Sequence, residues 1–284
     1  MGVMPTLFDF SDYDRLLPLV TNSLIAGALL ALVGGLIGVF VITRQLSFAV
    51  HGVAELSFAG AAIFLLIGLD VVLGSIVGSL IAAVIIGTLG SRVQERNSLV
   101  AVLMPFGLGL GILALALYPG RAANKFGLLT GQIVTVDDPQ VSWLIGISVT
   151  VLIAIAVFWR PLVFASLDSS VAIARGVPVN LIGWLFMILL GLVVAAAVQI
   201  IGALLVLSLL VTPAAAALRL SSSQVWVPVM SISFAMVSVV GGILLALGGG
   251  LPISPYVTTI SFLFYLVARV LTSKRFGILK VGGR

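Results

Sequence analysis

The sequence predicts an all-α fold, a polytopic helical transmembrane bundle, and three observations carry that prediction. Of 284 residues, 61% are hydrophobic and only 8% charged, whereas a soluble domain carries roughly 25% charged residues. Apolar runs reach the ~20 residues that a helix needs to cross a bilayer. The charges gather between those runs. A transmembrane β-barrel would alternate apolar and polar residues over ~10-residue segments, but Leu24 to Ile42 is continuously apolar.

The elements follow in order. Residues 1–18 form an acidic tail in which Asp9, Asp12 and Asp14 outnumber Arg15. That is the wrong sign for the basic start of a signal peptide, so the tail reads as mature and extracellular. Charges, prolines and glycine clusters then divide residues 19–272, a single transmembrane domain, into apolar segments at 19–43, 47–68, 71–90, 98–118, 140–159, 179–198, 200–218, 225–248 and 254–272. Arg44 closes the first, Asp70 separates the second from the third, and Arg92 and Arg96 precede the fourth. Pro119 to Pro139 is a turn-rich connection, and Pro161 to Pro178 separates the fifth from the sixth. Gln199, Gly202 and Pro213 make the seventh ambiguous between a full crossing and a re-entrant element, which gives nine spans, or eight. A basic tail, 273–284, closes the chain.

Lys and Arg accumulate in cytoplasmic loops, and nine spans divide the charge sharply. Eleven cations from Arg44 to Arg284 share one side with Glu95 and Asp168, while Arg15, Arg121 and Lys125 face six aspartates on the other. The N-terminus is therefore expected outside and the C-terminus in the cytoplasm. The net charge of +5 sits in membrane-flanking loops and gives no reason to expect nucleic acid. With no cysteine, disulfides and thiolate metal sites are excluded.

Small residues at Gly27, Gly34, Gly35 and Gly38, at Gly74 and Gly78, and at Gly107 and Gly111 are expected to let helices approach closely. They are not a phosphate loop, because no strand precedes them and no Gly-Lys-Ser/Thr ends them. This chain is not expected to bind ATP.

Two polar residues interrupt the apolar pattern. His51, the one histidine, and Glu55, the one carboxylate inside a span, are four residues apart and share a helix face. A carboxylate at that depth costs several kcal/mol unless paired, protonated or lining water. Imidazole plus carboxylate suits a divalent transition metal and also suits a proton relay. One pair is too few for a metal cage, but two copies related by a two-fold axis would supply four ligands. Zinc peptidase and serine triad patterns are missing. On the cytoplasmic side, Asp168 is a suitable N-cap for two turns over Ser169 to Arg175, which Gly176 and Pro178 would end.

These residues carry a resemblance to the integral membrane permease of bacterial ABC importers for manganese, zinc and iron, over nearly the whole chain. Arg44-Gln-Leu-Ser, then His51-Gly-Val-Ala-Glu55 and Gly60, is similar to the family's Arg-x-Leu-Ser with Asp-x-x-x-His and a closing Gly. Leu167 to Pro178 resembles its cytoplasmic coupling helix, expected at about 166–177, and Ile201 to Ala217 its most specific stretch. Imidazole and carboxylate have exchanged places relative to the family pattern.

The resemblance implies a multi-pass protein of the bacterial plasma membrane, surrounded by lipid, that forms a homodimeric pore. It implies two cytoplasmic ATP-binding subunits that hydrolyse ATP, and an extracellular metal-binding protein. His51 and Glu55 become the metal ligands, and Leu167, Asp168, Ala172, Arg175 and Gly176 the ATPase-coupling residues. No cofactor is expected; the metal ion is cargo. A proton-coupled carrier with His51 and Glu55 as relay, or an ABC permease for a chelated or siderophore cargo, are the alternatives.

Overall fold

In a computed structural model the described residues are 13–90, 93–120, 136–203, 205–248 and 253–281. A helical turn at Tyr13–Leu16 and a 3-10 turn at Leu17–Val20 lead into α1 (Thr21–Thr43), α2 (Ser47–Leu66), α3 (Val71–Leu89), α4 (Val93–Leu117) and α5 (Asp138–Leu167). The short α6 (Ser169–Ala174) precedes α7 (Val179–Ile201), the short α8 (Val206–Leu210) and α9 (Thr212–Leu220), α10 (Trp226–Gly248) and α11 (Ile253–Val281). Among the described residues, eight helices are long and apolar enough to cross a membrane. The acidic stretch to Asp12 and most of the 119–139 connection lie outside the described residues.

Local chemistry sets the helix ends. Asp70 caps α3 by accepting from the Leu73 amide at 2.9 Å. Asp137 and Gln140 form a capping box on α5. The α1–α2 reversal is a Schellman closure in which Gln45, at φ +56°, takes the left-handed position. The Leu46 amide donates to Val41 O at 2.7 Å and the Gln45 amide to Ile42 O at 3.0 Å.

The expected glycine seams are present. A Cβ at Gly38 would run into the Leu210 carbonyl, one at Gly35 into the Ile232 backbone, and one at Gly78 into the Leu56 carbonyl. Buried serines tie the same helices together: Ser57 and Ser75 hydroxyls meet at 2.7 Å, and Ser75 Oγ donates to Ala195 O at 3.2 Å, joining α2, α3 and α7.

The bundle has two end faces. Arg44, Gly90, Arg96 and Asn180 line one cavity, and Thr43, Leu167, Ser222 and Gln224 another, which places these helix ends on one face. On the opposite face Gln199 Nε2 donates to Val71 O at 3.3 Å, and Asn22 Nδ2 to Asp138 Oδ1 at 2.8 Å. These are called the Arg44 face and the Asp70 face.

The seventh apolar segment joins them in two pieces. Leu205 lies beside Ile253 and Val257 near the start of α11. Ser261 Oγ donates to Ser208 O at 3.3 Å, and further along Thr272 Oγ1 donates to Arg219 O at 3.2 Å. α8 and α9 therefore run beside α11 from the Asp70 face to the Arg44 face, the path a ninth crossing would take. The segment's breaks have physical causes. Gly202 turns the chain at φ +84°, and Pro213 lacks the N–H that Leu209 would bond in a continuous helix.

Candidate functional site

α2 positions both candidate ligands. A rise of ~1.5 Å per residue from Ser47 places His51 about 6 Å and Glu55 about 12 Å along the helix, so Glu55 sits near the middle of its 20 residues. Close packing fixes that register: Gly107 of α4 lies against the Glu55 backbone, Gly52 faces Val100, and Gly78 of α3 faces the Leu56 carbonyl.

Glu55 is 2% exposed. His51 Nε2 lies 3.8 Å from Glu55 Oε1, beyond hydrogen-bonding distance. Glu55 Oε2 and His51 Nδ1 are buried and have no hydrogen-bond partner among the described residues. The pair thus presents one carboxylate and one imidazole that do not satisfy each other, and an unpartnered buried polar atom is costly. The imidazole keeps 26% of its side-chain surface open, and Phe48, one turn before it, is 58% exposed. Among the described residues no group of three or more His, Asp or Glu could hold a metal ion. One chain thus sets a buried carboxylate beside an imidazole that its own helices leave partly uncovered.

The second candidate region lies on the Arg44 face. Asp168 Oδ1 accepts from the Ser170 and Val171 amides at 3.0 Å each and from Ser170 Oγ at 2.8 Å. The Val171 amide, and then Ser170, hold the Asp168 carboxyl below the ordinary aspartate range. At the other end of α6 the Gly176 amide donates to Ile173 O at 2.9 Å and the Val177 amide to Ala172 O at 3.0 Å, with Gly176 at φ +80°. That is a second Schellman closure. The five residues picked from the sequence therefore fall in one short motif, yet they do not share a surface. Leu167, Asp168, Arg175 and Gly176 are exposed, whereas Ala172 is fully buried and packs inward. Val171 and Ile173, missed in the sequence, are exposed as Leu167 is, and Ile173 shows 63% of its surface. Leu167 at the end of α5 and Val171 and Ile173 on α6 thus each expose a large apolar side chain; a six-residue stretch carries too little periodicity to reveal this.

Comparison with known proteins adds an independent line. A family model described as the ABC 3 transport family matches residues 17–272. The manganese transport system membrane protein MntC of Halalkalibacterium halodurans is 31% identical, over 81% of this chain and 80% of that one. The manganese import system permease protein ScaB of Streptococcus parasanguinis is 26% identical, over 94% of this chain and 95% of that one. Among solved structures, PsaBC from Streptococcus pneumoniae in complex with Fab superposes with a TM-score of 0.81 at 27% identity, over 90% of this chain and 95% of that one.

Proposed function

The chain belongs to the ABC 3 transport family, and from that premise we propose that two copies form the pore of an ATP-driven importer for a divalent transition metal, with manganese the first candidate. It is the multi-pass permease of an ABC metal importer in the bacterial plasma membrane, a transport component rather than an enzyme. The observation that carries the metal reading is the pair of buried, unpartnered atoms, Glu55 Oε2 and His51 Nδ1, on a face open beside Phe48. A second copy placed on that face would bring the two partly open imidazoles together, and the two carboxylates, buried beside them, would complete the set once their side chains turn toward the ion. Carboxylate oxygen suits manganese and imidazole tolerates it, in keeping with the manganese systems to which the relatives belong.

ATP hydrolysis falls to two cytoplasmic subunits that grip the Arg44 face at α6, through Leu167, Val171 and Ile173 with Arg175 beside them. The Asp70 face receives the ion from an extracellular metal-binding protein. The site must bind strongly enough to admit the ion and weakly enough to release it, which a few side-chain ligands shared across an interface can do. Because imidazole binds metal only when neutral, acid weakens the site.

Uptake of radioactive manganese into cells carrying this chain and its ATPase tests the reading. Glu55→Gln and His51→Ala should each abolish uptake while the ATPase still co-purifies. Wild-type uptake in both variants, or uptake that survives ATP depletion and follows a proton gradient, contradicts it.

A further inference from the structure

The Arg44 face holds a cavity of about 490 Å³ at the ends of α1 and α3 and the starts of α4 and α7, with Arg44, Arg96, Thr88, Asn180, Gly183 and Trp184 among its lining. No Asp or Glu of the described residues lines it. Arg44 lies over the Phe186 ring at 5.3 Å, and among the described residues its guanidinium makes one long hydrogen bond, from Nη1 to Ser166 Oγ at 3.4 Å. Arg96 Nη2 donates to the Arg44 and Gln45 carbonyls at 3.3 and 2.9 Å, while its buried Nε has no partner among the described residues. Burial, and then Arg96 beside it, hold Arg44 below the ordinary arginine range. Two guanidinium groups thus share a cavity of mixed polar and apolar walls in which no carboxylate of the described residues supplies a counter-charge.

We propose that this cavity binds a phosphate-bearing anion between Arg44 and Arg96, and that its resident is the headgroup of an anionic phospholipid. Guanidinium forks match phosphate oxygens, and basic pockets between helix ends at a membrane surface take such headgroups. The cavity's flanks select lipid over free phosphate. Leu89 of α3 and Leu181 of α7, both about two-thirds exposed, are sequence neighbours of the lining residues Thr88, Gly90 and Asn180 and would offer apolar surface to acyl chains, and the lining Trp184 is of the type that favours the headgroup level. The bound headgroup would also brace the reversal at Gln45, whose left-handed backbone Arg96 already holds and from which α2 rises toward His51 and Glu55. The inference requires only that the Arg44 face meet a membrane surface, so it stands or falls independently of the metal reading.

The test is native mass spectrometry of the complete complex with its ATPase, released from bilayers of mixed phosphatidylglycerol and phosphatidylcholine. Wild type should retain phosphatidylglycerol selectively. Arg44→Gln should retain it about fivefold more weakly. Gly183→Leu keeps both arginines, and because only Arg44 lies within 4 Å of its Cβ position it obstructs the cavity and should lose the lipid as well. This variant carries the test if Arg44→Gln fails to assemble. An excess of inorganic phosphate should leave the lipid in place. Equal phosphatidylglycerol retention by all three proteins overturns the site, and displacement by inorganic phosphate overturns the lipid as its resident.

Discussion

Replacing Gly176 with valine tests the coupling helix through its backbone alone. α6 has six residues, far fewer than an isolated helix needs to persist, so its order depends on the Asp168 cap, on the inward packing of Ala172 and on the closure at Gly176. That closure requires φ +80° at position 176, where an added Cβ would meet nothing within 4 Å. Size is therefore irrelevant and conformation decides. A β-branched residue in the left-handed region costs about 1–3 kcal/mol, which lowers the ratio of closed to open α6 about 5- to 150-fold. The eight long helices are untouched, so the melting temperature of the membrane domain should stay at the wild-type value. Metal transported per ATP hydrolysed should fall steeply in Gly176→Val and only slightly in Gly176→Asn, because asparagine tolerates the left-handed region. The assay is parallel measurement of uptake and hydrolysis in proteoliposomes containing the whole complex. Normal coupling in Gly176→Val, or equal losses in the valine and asparagine variants, would refute the reasoning.

Other outcomes follow from the same structure. Gly78→Val drives a side chain into the Leu56 carbonyl and should destabilise the α2–α3 seam by about 1–3 kcal/mol, seen as a lower melting temperature in detergent; Gly109→Val, with open space at its Cβ, should melt like wild type. The Asp168 carboxyl has a folded-state pKa below its unfolded value, so its support for α6 is complete above the unfolded pKa and is lost as pH falls through the folded one. Protection of the Ser170 and Val171 amides from hydrogen exchange should thus hold down to about pH 4 and decline below it, and Asp168→Asn should remove that pH dependence. A cysteine at Leu69, on the Asp70 face, should react with an impermeant thiol reagent in intact spheroplasts, whereas one at Val225, just past α9, should react only after permeabilisation. Labelling of both from outside would contradict the ninth crossing.

Much of the fold was legible because a bilayer asks a simple question of a sequence. Apolar length and the position of arginines located the eight long helices, and small residues at Gly35, Gly38 and Gly78 marked where backbones meet. The seventh apolar segment was ambiguous for a physical reason: Gly202 and Pro213 announce breaks, but whether a broken segment crosses depends on contacts with α11 that are remote in sequence. At the candidate site the i, i+4 spacing gave the shared face of His51 and Glu55. The 3.8 Å gap between them and the open flank at Phe48 depend on how α3 and α4 clamp α2, which no local pattern encodes. Around Asp168 the caps were readable from residue type. The inward turn of Ala172 and the exposure of Val171 and Ile173 on either side of it were set by packing against α5 and α7.

The central claim is that His51 and Glu55 of two copies hold the transported ion, and the most direct measurement is manganese bound per purified complex, by electron paramagnetic resonance of the bound ion together with elemental analysis. Wild type should hold one ion for every two chains. Glu55→Gln and His51→Ala should each lose it while the chains and their ATPase remain associated. Unchanged manganese content and an unchanged spectrum in both variants would show that the ion sits elsewhere.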